Sequence, residues 1–252
     1  MGIAQRARSY ISSGDMMKLR TFYILVLTLI LLSVLLVMIS SFSNIAAHAS
    51  ADAVTTLPRI VIDAGHGGED GGAEVYGVLE KDINLSIANI LADILRSSGY
   101  EVAQVRDTDI SVYSTGAETL RQKKVSDLKN RVELFNADRR NIVVSIHQNK
   151  FDSAKYCGTQ LFYSTNDVES AALAEQIRTA VVMLLQHDNT RELKPAGEDI
   201  YILDKATVPA VIVECGFLSN DRERELLVTQ EYQQEMAYAI AMGIIDYCSN
   251  NR

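Results

Sequence analysis

Cysteine is scarce in this sequence. The three present, Cys157, Cys215 and Cys248, are an odd number that cannot build a disulfide framework. Basic charge is also short, with 24 Lys and Arg against 32 Asp and Glu and a formal net charge of −8. Such a chain has no positive field for sequence-independent nucleic-acid binding, so nucleic acid is set aside as a partner. The imbalance is uneven: residues 1–49 carry a net +3 and residues 50–252 a net −11. Neither the H-E-x-x-H signature of helical zinc proteases nor the G-x-S-x-G elbow of serine hydrolases occurs anywhere. Internal repeats and low-complexity tracts are missing too. What is there suffices for one α/β domain with a full core: 252 residues, 48% hydrophobic and 22% charged, which excludes wholesale disorder.

One long uncharged run stands out, residues 22–39, FYILVLTLILLSVLLVMI. Its 18 residues are about the minimum that crosses a hydrocarbon core of ~30 Å. The basic residues of this region, Arg6, Arg8, Lys18 and Arg20, all precede it, which places the N-terminus in the cytoplasm and the rest outside. Two readings fit, an uncleaved membrane anchor or a signal peptide cut after Ala49, since Ala47-His48-Ala49 has the small-x-small form. Either way the remainder works outside the cytoplasm. Residues 1–21 then form a short basic cytoplasmic segment, 40–58 a linker and 59–248 the folded domain.

That domain alternates strand and helix signals. Arg59 to Asp63 reads as a buried first strand, and Ile83, Ile87, Ile90, Leu91, Ile94 and Leu95 recur at helical spacing before a stop at Gly99. Glu101 to Val105, Ile142 to Ile146, Gly158 to Tyr163 and Pro209 to Val213 predict further strands. Helices are expected through Leu128 to Phe135, Leu173 to Leu184 and Met236 to Tyr247, while residues 107–124 read as an irregular loop. The expectation is a single α/β domain with a mainly parallel twisted sheet and helices on both faces.

In such folds chemistry sits beyond the carboxyl ends of the strands. The first strand runs into Asp63-Ala64-Gly65-His66-Gly67-Gly68, the middle one ends in Ser145-Ile146-His147-Gln148-Asn149 and the later one in Val213-Glu214-Cys215-Gly216. Glu80 opens the first helix close behind the glycine-rich loop. His66, Glu80 and His147 make a two-histidine, one-carboxylate set that suits a catalytic zinc with one position left for water. Glu214, at the end of an apolar run, is the candidate general base. Each residue also has a plain reading: a packing histidine, a helix N-terminal acid, a paired carboxylate. Spacing alone leaves the metal site and the packing reading both open. The glycine loop is no phosphate cradle, because G-x-G-x-x-G from Gly65 fails at Asp70 and no G-K-[ST] follows. Its glycines let the backbone curl around His66. Cys215 reads as a small packing residue, His48 and His187 as surface, and the basic run Arg121, Lys123, Lys124, Lys129 and Arg131 as a solvated face.

Four motifs in order carry a resemblance: Ile62-Asp63-Ala64-Gly65-His66-Gly67-Gly68 with Gly71-Gly72-Ala73, Glu80-Lys81-Asp82-Ile83-Asn84-Leu85, Ser145-Ile146-His147-Gln148-Asn149 and Glu214-Cys215-Gly216-Phe217-Leu218-Ser219-Asn220. The chain resembles the zinc-dependent N-acetylmuramoyl-L-alanine amidases of the Amidase_3 family over residues 59–248. The resemblance implies that His66, Glu80 and His147 bind one Zn2+ and that Glu214 is the catalytic acid/base. The implied substrate is peptidoglycan, cut at the amide between the muramic acid lactyl group and the first L-alanine of the stem peptide. Within the family the chain is similar to the spore-cortex amidases of endospore formers, which implies a role in muramic lactam formation and leaves room for an activating partner protein. Two rival readings stay open on the residues alone, a zinc peptidase cutting elsewhere in the stem peptide and a non-catalytic peptidoglycan-binding module.

Overall fold

The computed structural model describes residues 20–36 and 58–250. The chain divides into two units, residues 1–56 and 57–252. In the first, residues 20–36 form helix α1 with its apolar side chains exposed. Among the described residues no helix is long and apolar enough to cross a membrane. Of the span expected over 22–39, residues 22–36 are helical, and residues 37–39 and the Ala47–Ala49 site lie outside the described residues.

The second unit is built on a six-stranded sheet. Its strands are β1 (Arg59–Ala64), β4 (Glu101–Gln104), β5 (Asn141–Asn149), β6 (Gln160–Tyr163), β7 (Lys194–Pro195) and β8 (Ala210–Phe217). Their order across the sheet is β4-β1-β5-β8-β6-β7, and a small hairpin pairs β2 (Glu74–Val75) with β3 (Val78–Leu79). The four strands from β4 to β8 run parallel, while β6 lies antiparallel to β8. The sheet is thus mainly parallel, as expected, with β6 and its parallel neighbour β7 running against the other four strands. Parallel strands buried on both faces read as unbroken apolar runs, and Ile60-Val61-Ile62, Val143-Val144 and Val211-Ile212-Val213 are such runs.

Helices cover both faces. On one, α2 (Glu80–Ser97), α4 (Glu169–Leu184) and α7 (Gln230–Asn250) bury a continuous core that includes Ile83, Ile87, Leu91, Ile177 and Ile240. On the other, α3 (Leu120–Asn136) and the one-turn α5 (Tyr201–Asp204) enclose a smaller cluster around Phe135, Val143 and Leu203. A short α6 (Asp221–Leu227) precedes α7. Helix α2 has apolar residues every four positions and ends at Gly99, whose φ of +88° is the left-handed cap geometry expected there. Helix α3 begins at Leu120, inside the stretch expected to be irregular. Thr119 and Gln122 close a reciprocal capping box at its start, and this local signal outweighs the polar composition that follows.

Candidate metal centre

The chain leaves β1 at Ala64 and turns sharply. His66 has φ +63°, a left-handed conformation unusual for a side-chain-bearing residue, and Gly67 and Gly68 follow at positive φ. Two glycines are required by close approach. A Cβ on Gly65 would fall 2.2 Å from His147 Nε2, and one on Gly72 would fall 2.6 Å from Glu80 Oε2.

These turns bring together three residues from separate elements. His66 comes from the loop after β1, Glu80 from the first turn of α2 and His147 from β5. His66 Nε2 lies 3.2 Å from Glu80 Oε2, and His147 Nδ1 lies 2.9 Å from Glu80 Oε1. One donor atom from each falls within 4.8 Å of the others, so these residues could hold a single metal ion. His66 Nδ1 is 3.0 Å from Asp70 Oδ2, which fixes the ring and turns Nε2 toward the cluster. Lys124 donates to the same Asp70 oxygen.

The Glu80 carboxylate is held from several sides. Besides the imidazoles, Ala73 N donates to Oε2 at 2.8 Å, while Gln148 N at 3.1 Å and Asn84 Nδ2 at 3.2 Å donate to Oε1. Burial alone would raise its pKa, but the hydrogen bonds with His147 and His66 outweigh it and hold the group well below the usual carboxylate range. Burial likewise opposes charging of His66, and hydrogen bonds to Asp70 and Glu80 overcome it, raising the imidazole to about 9.

Glu214 sits between Gln160 of β6 and His147 of β5 in register. Its Oε2 is enclosed and has no hydrogen-bond partner. Burial pushes the group up to about 7 from an ordinary 4.5. A cavity of about 230 Å³ opens beside His66 and His147, walled by Lys124, Leu128 and Tyr201.

The sequence reading missed the residues that hold this centre in place. Arg131, expected on a solvated face, is 2% exposed. It pairs with buried Asp63 and with Asp127, and donates to the carbonyls of Ala64 at 3.1 Å and His66 at 2.7 Å. Arg106 is as deeply buried and donates to the carbonyls of Ala64 at 2.9 Å and Gly65 at 3.0 Å. Together the two guanidiniums fix all three carbonyls of the turn that carries His66. A signal for Arg131 existed, since it lies three residues after Leu128 and four before Phe135, on the inward stripe of α3. Arg106 had none. Lys123 and Lys124 are ion-paired to Glu69 and Asp70. Cys215 is fully buried and burial raises its thiol far above the usual range, so it is the packing residue expected; His187 is exposed as expected, and His48 lies outside the described residues.

Residues 60–246 fit the Amidase_3 family model, N-acetylmuramoyl-L-alanine amidase. The chain is 35% identical over 188 residues to the germination-specific N-acetylmuramoyl-L-alanine amidase of Bacillus subtilis, covering 75% of this chain and 78% of that protein. Among solved structures it is similar to the CwlD amidase of Clostridioides difficile in complex with the GerS lipoprotein, at 41% identity and TM-score 0.73 over 77% of this chain and 99% of that one. An amidase of Nostoc punctiforme is 31% identical at TM-score 0.61, over 76% of this chain and 97% of that one. The chain therefore belongs to the Amidase_3 family and is an N-acetylmuramoyl-L-alanine amidase acting on peptidoglycan.

Proposed function

We propose that His66 through Nε2, Glu80 through its carboxylate and His147 through Nδ1 hold one Zn2+, and that Glu214 moves the protons of amide hydrolysis. The donor set supports this: two imidazole nitrogens and one carboxylate on converging elements are what a zinc with an open position takes. When bound, zinc would bring the pKa of a coordinated water to roughly 7 and polarise the scissile carbonyl.

One observation carries the reading, the enclosed Glu214 Oε2 with no partner. A buried polar atom left unpaired in a folded protein calls for a use. Held near pH 7 by burial, the carboxylate takes a proton from the attacking water and returns it to the departing nitrogen. The C–N bond breaks, leaving a carboxylate on the lactyl group and a free amine on L-alanine. Asp70 keeps His66 in the tautomer whose Nε2 is free to ligate, and the amides of Ala73, Gln148 and Asn84 hold the Glu80 carboxylate in place.

Two finer readings rest on the relatives. A role in the spore cortex is supported by the germination-specific relative, and work outside the cytoplasm by the basic residues that precede the apolar run. An activating partner is supported by the lipoprotein found on the Clostridioides difficile amidase.

Zinc-loaded full-length protein incubated with purified peptidoglycan should release stem peptides that begin with a free L-alanine, identified by mass spectrometry. Glu214→Gln should keep its zinc and lose ~10²–10⁴ in rate. Peptides cut at another bond would establish a peptidase instead, and no release with zinc bound would favour a binding module.

A further inference from the structure

Two aromatic side chains stand exposed on the loop that follows β5. Phe151 and Tyr156 keep 56% and 36% of their surface exposed, with ring centroids 5.0 Å apart in an edge-to-face arrangement. Tyr156 leans on the buried ring of Phe217 at 6.3 Å. All of this hangs on the strands of the reaction centre: Phe151 lies four residues beyond His147, about 13 Å of extended chain, and Phe217 three residues beyond Glu214. The loop is fixed rather than loose. Ser219 Oγ accepts from Phe151 N at 3.0 Å, Asn220 Nδ2 donates to Ala154 O at 2.7 Å and Leu218 N donates to Asn149 O at 2.8 Å.

Cations border the rings. Lys155 lies 5.2 Å over Tyr156, and Arg191 lies 4.5 Å over Phe217. Arg191 also donates to Gln160 Oε1 at 3.3 Å, and Gln160 is the residue paired with Glu214 across the strands. A line of contacts thus runs from the proposed proton carrier to the exposed rings.

We infer that this ledge is a sugar subsite, where pyranose rings of the glycan strand flanking the attacked muramic acid stack on Phe151 and Tyr156. The inference rests on the amidase reading above and names how the strand is gripped. The chemistry selects a glycan in two ways. Pyranose C–H faces are apolar and meet the negative face of an aromatic ring, while their hydroxyl rim stays wet. Hydrolysis also leaves a lactyl carboxylate on each muramic acid already stripped of peptide, and Lys155 and Arg191 complement that charge.

The test uses the zinc-loaded full chain and a peptide-free GlcNAc–MurNAc tetrasaccharide, with Kd read by calorimetry. Phe151→Ala and Tyr156→Ala should each raise Kd roughly tenfold, and Phe151→Tyr should stay close to the parent. On peptidoglycan chains against a disaccharide-peptide, the ratio of kcat/KM values should fall by a similar factor in the alanine variants. Both positions are exposed, so thermal melts should match the parent; if one variant fails to fold, the other and Lys155→Glu carry the test. No tetrasaccharide binding by the parent, or an equal Kd in the folded alanine variants, overturns the proposal and leaves the ledge to a protein partner. Because the ligand has no amide to cut, its binding is independent of hydrolysis. Tetrasaccharide binding without peptide release would sink the amidase mechanism and keep the subsite, and the reverse result would do the opposite.

Discussion

Glu80 and Glu214 face the same two histidines from two regions of one sheet edge, and their surroundings push them apart. Glu80, at the start of α2, accepts from three amides as well as the imidazoles and is held ionised. Glu214, inside β8, has an enclosed oxygen with nothing to accept and is raised to about 7. Two carboxylates whose surroundings push their pKa values apart are what a division between a charged group and a proton carrier requires, which is the division proposed above. The lesson is that the charge of a carboxylate follows from the donors around it as much as from its burial.

The largest expected effect tests whether Glu80 stands inside a metal set. His66→Ala and His147→Ala should lose zinc and activity together, measured by metal analysis and peptide release. A zinc-free variant that still turns over would break the comparison. Next comes the scaffold of the turn that carries His66. Arg131→Met leaves Asp63 buried without its charge partner and should cost about 3–5 kcal/mol in urea unfolding. A loss below ~1 kcal/mol would mean that solvent reaches Asp63.

The Glu214 side makes a prediction about pH. Its folded pKa of about 7 lies above the ordinary 4.5, so its stabilising contribution is complete below pH 4.5 and is lost as pH rises through 7. In zinc-free protein, Glu214→Gln should therefore gain on the parent between pH 4.5 and 7.5, by up to about 3 kcal/mol. A gap that stays flat would place water at Oε2. The smallest effect sharpens the role of Asp70. Asp70→Asn should weaken zinc binding by roughly 10–100-fold in chelator competition, with the fold intact.

Much of this was readable in the sequence. The strands showed as short β-branched runs, α2 and α7 as apolar stripes, and the site as residues at strand ends, because burial writes a period into the chain. The same periodicity does not tell whether a strand runs parallel or antiparallel, and β6 turned out to be antiparallel to β8. Nor does polar composition reveal a capping box, which is how α3 came to start at Leu120. Arg131 sat on the inward stripe of its helix, yet a run of basic residues reads as solvated until its carboxylate partners are seen to be 68 and four residues away.

Sequence alone thus determined the fold class and, through four motifs in order, the family, and it named His66, Glu80, His147 and Glu214 as candidates without deciding between a metal site and packing, since local pattern fixes residue type and position but not neighbours. Tertiary structure alone decided that His66 is held in a left-handed turn by Arg106 and Arg131, that Glu80 is surrounded by donors and that Glu214 is left without one. These are facts about neighbours far apart in the chain, and hydrogen-bond geometry and desolvation, which set a group's charge, exist only once those neighbours meet.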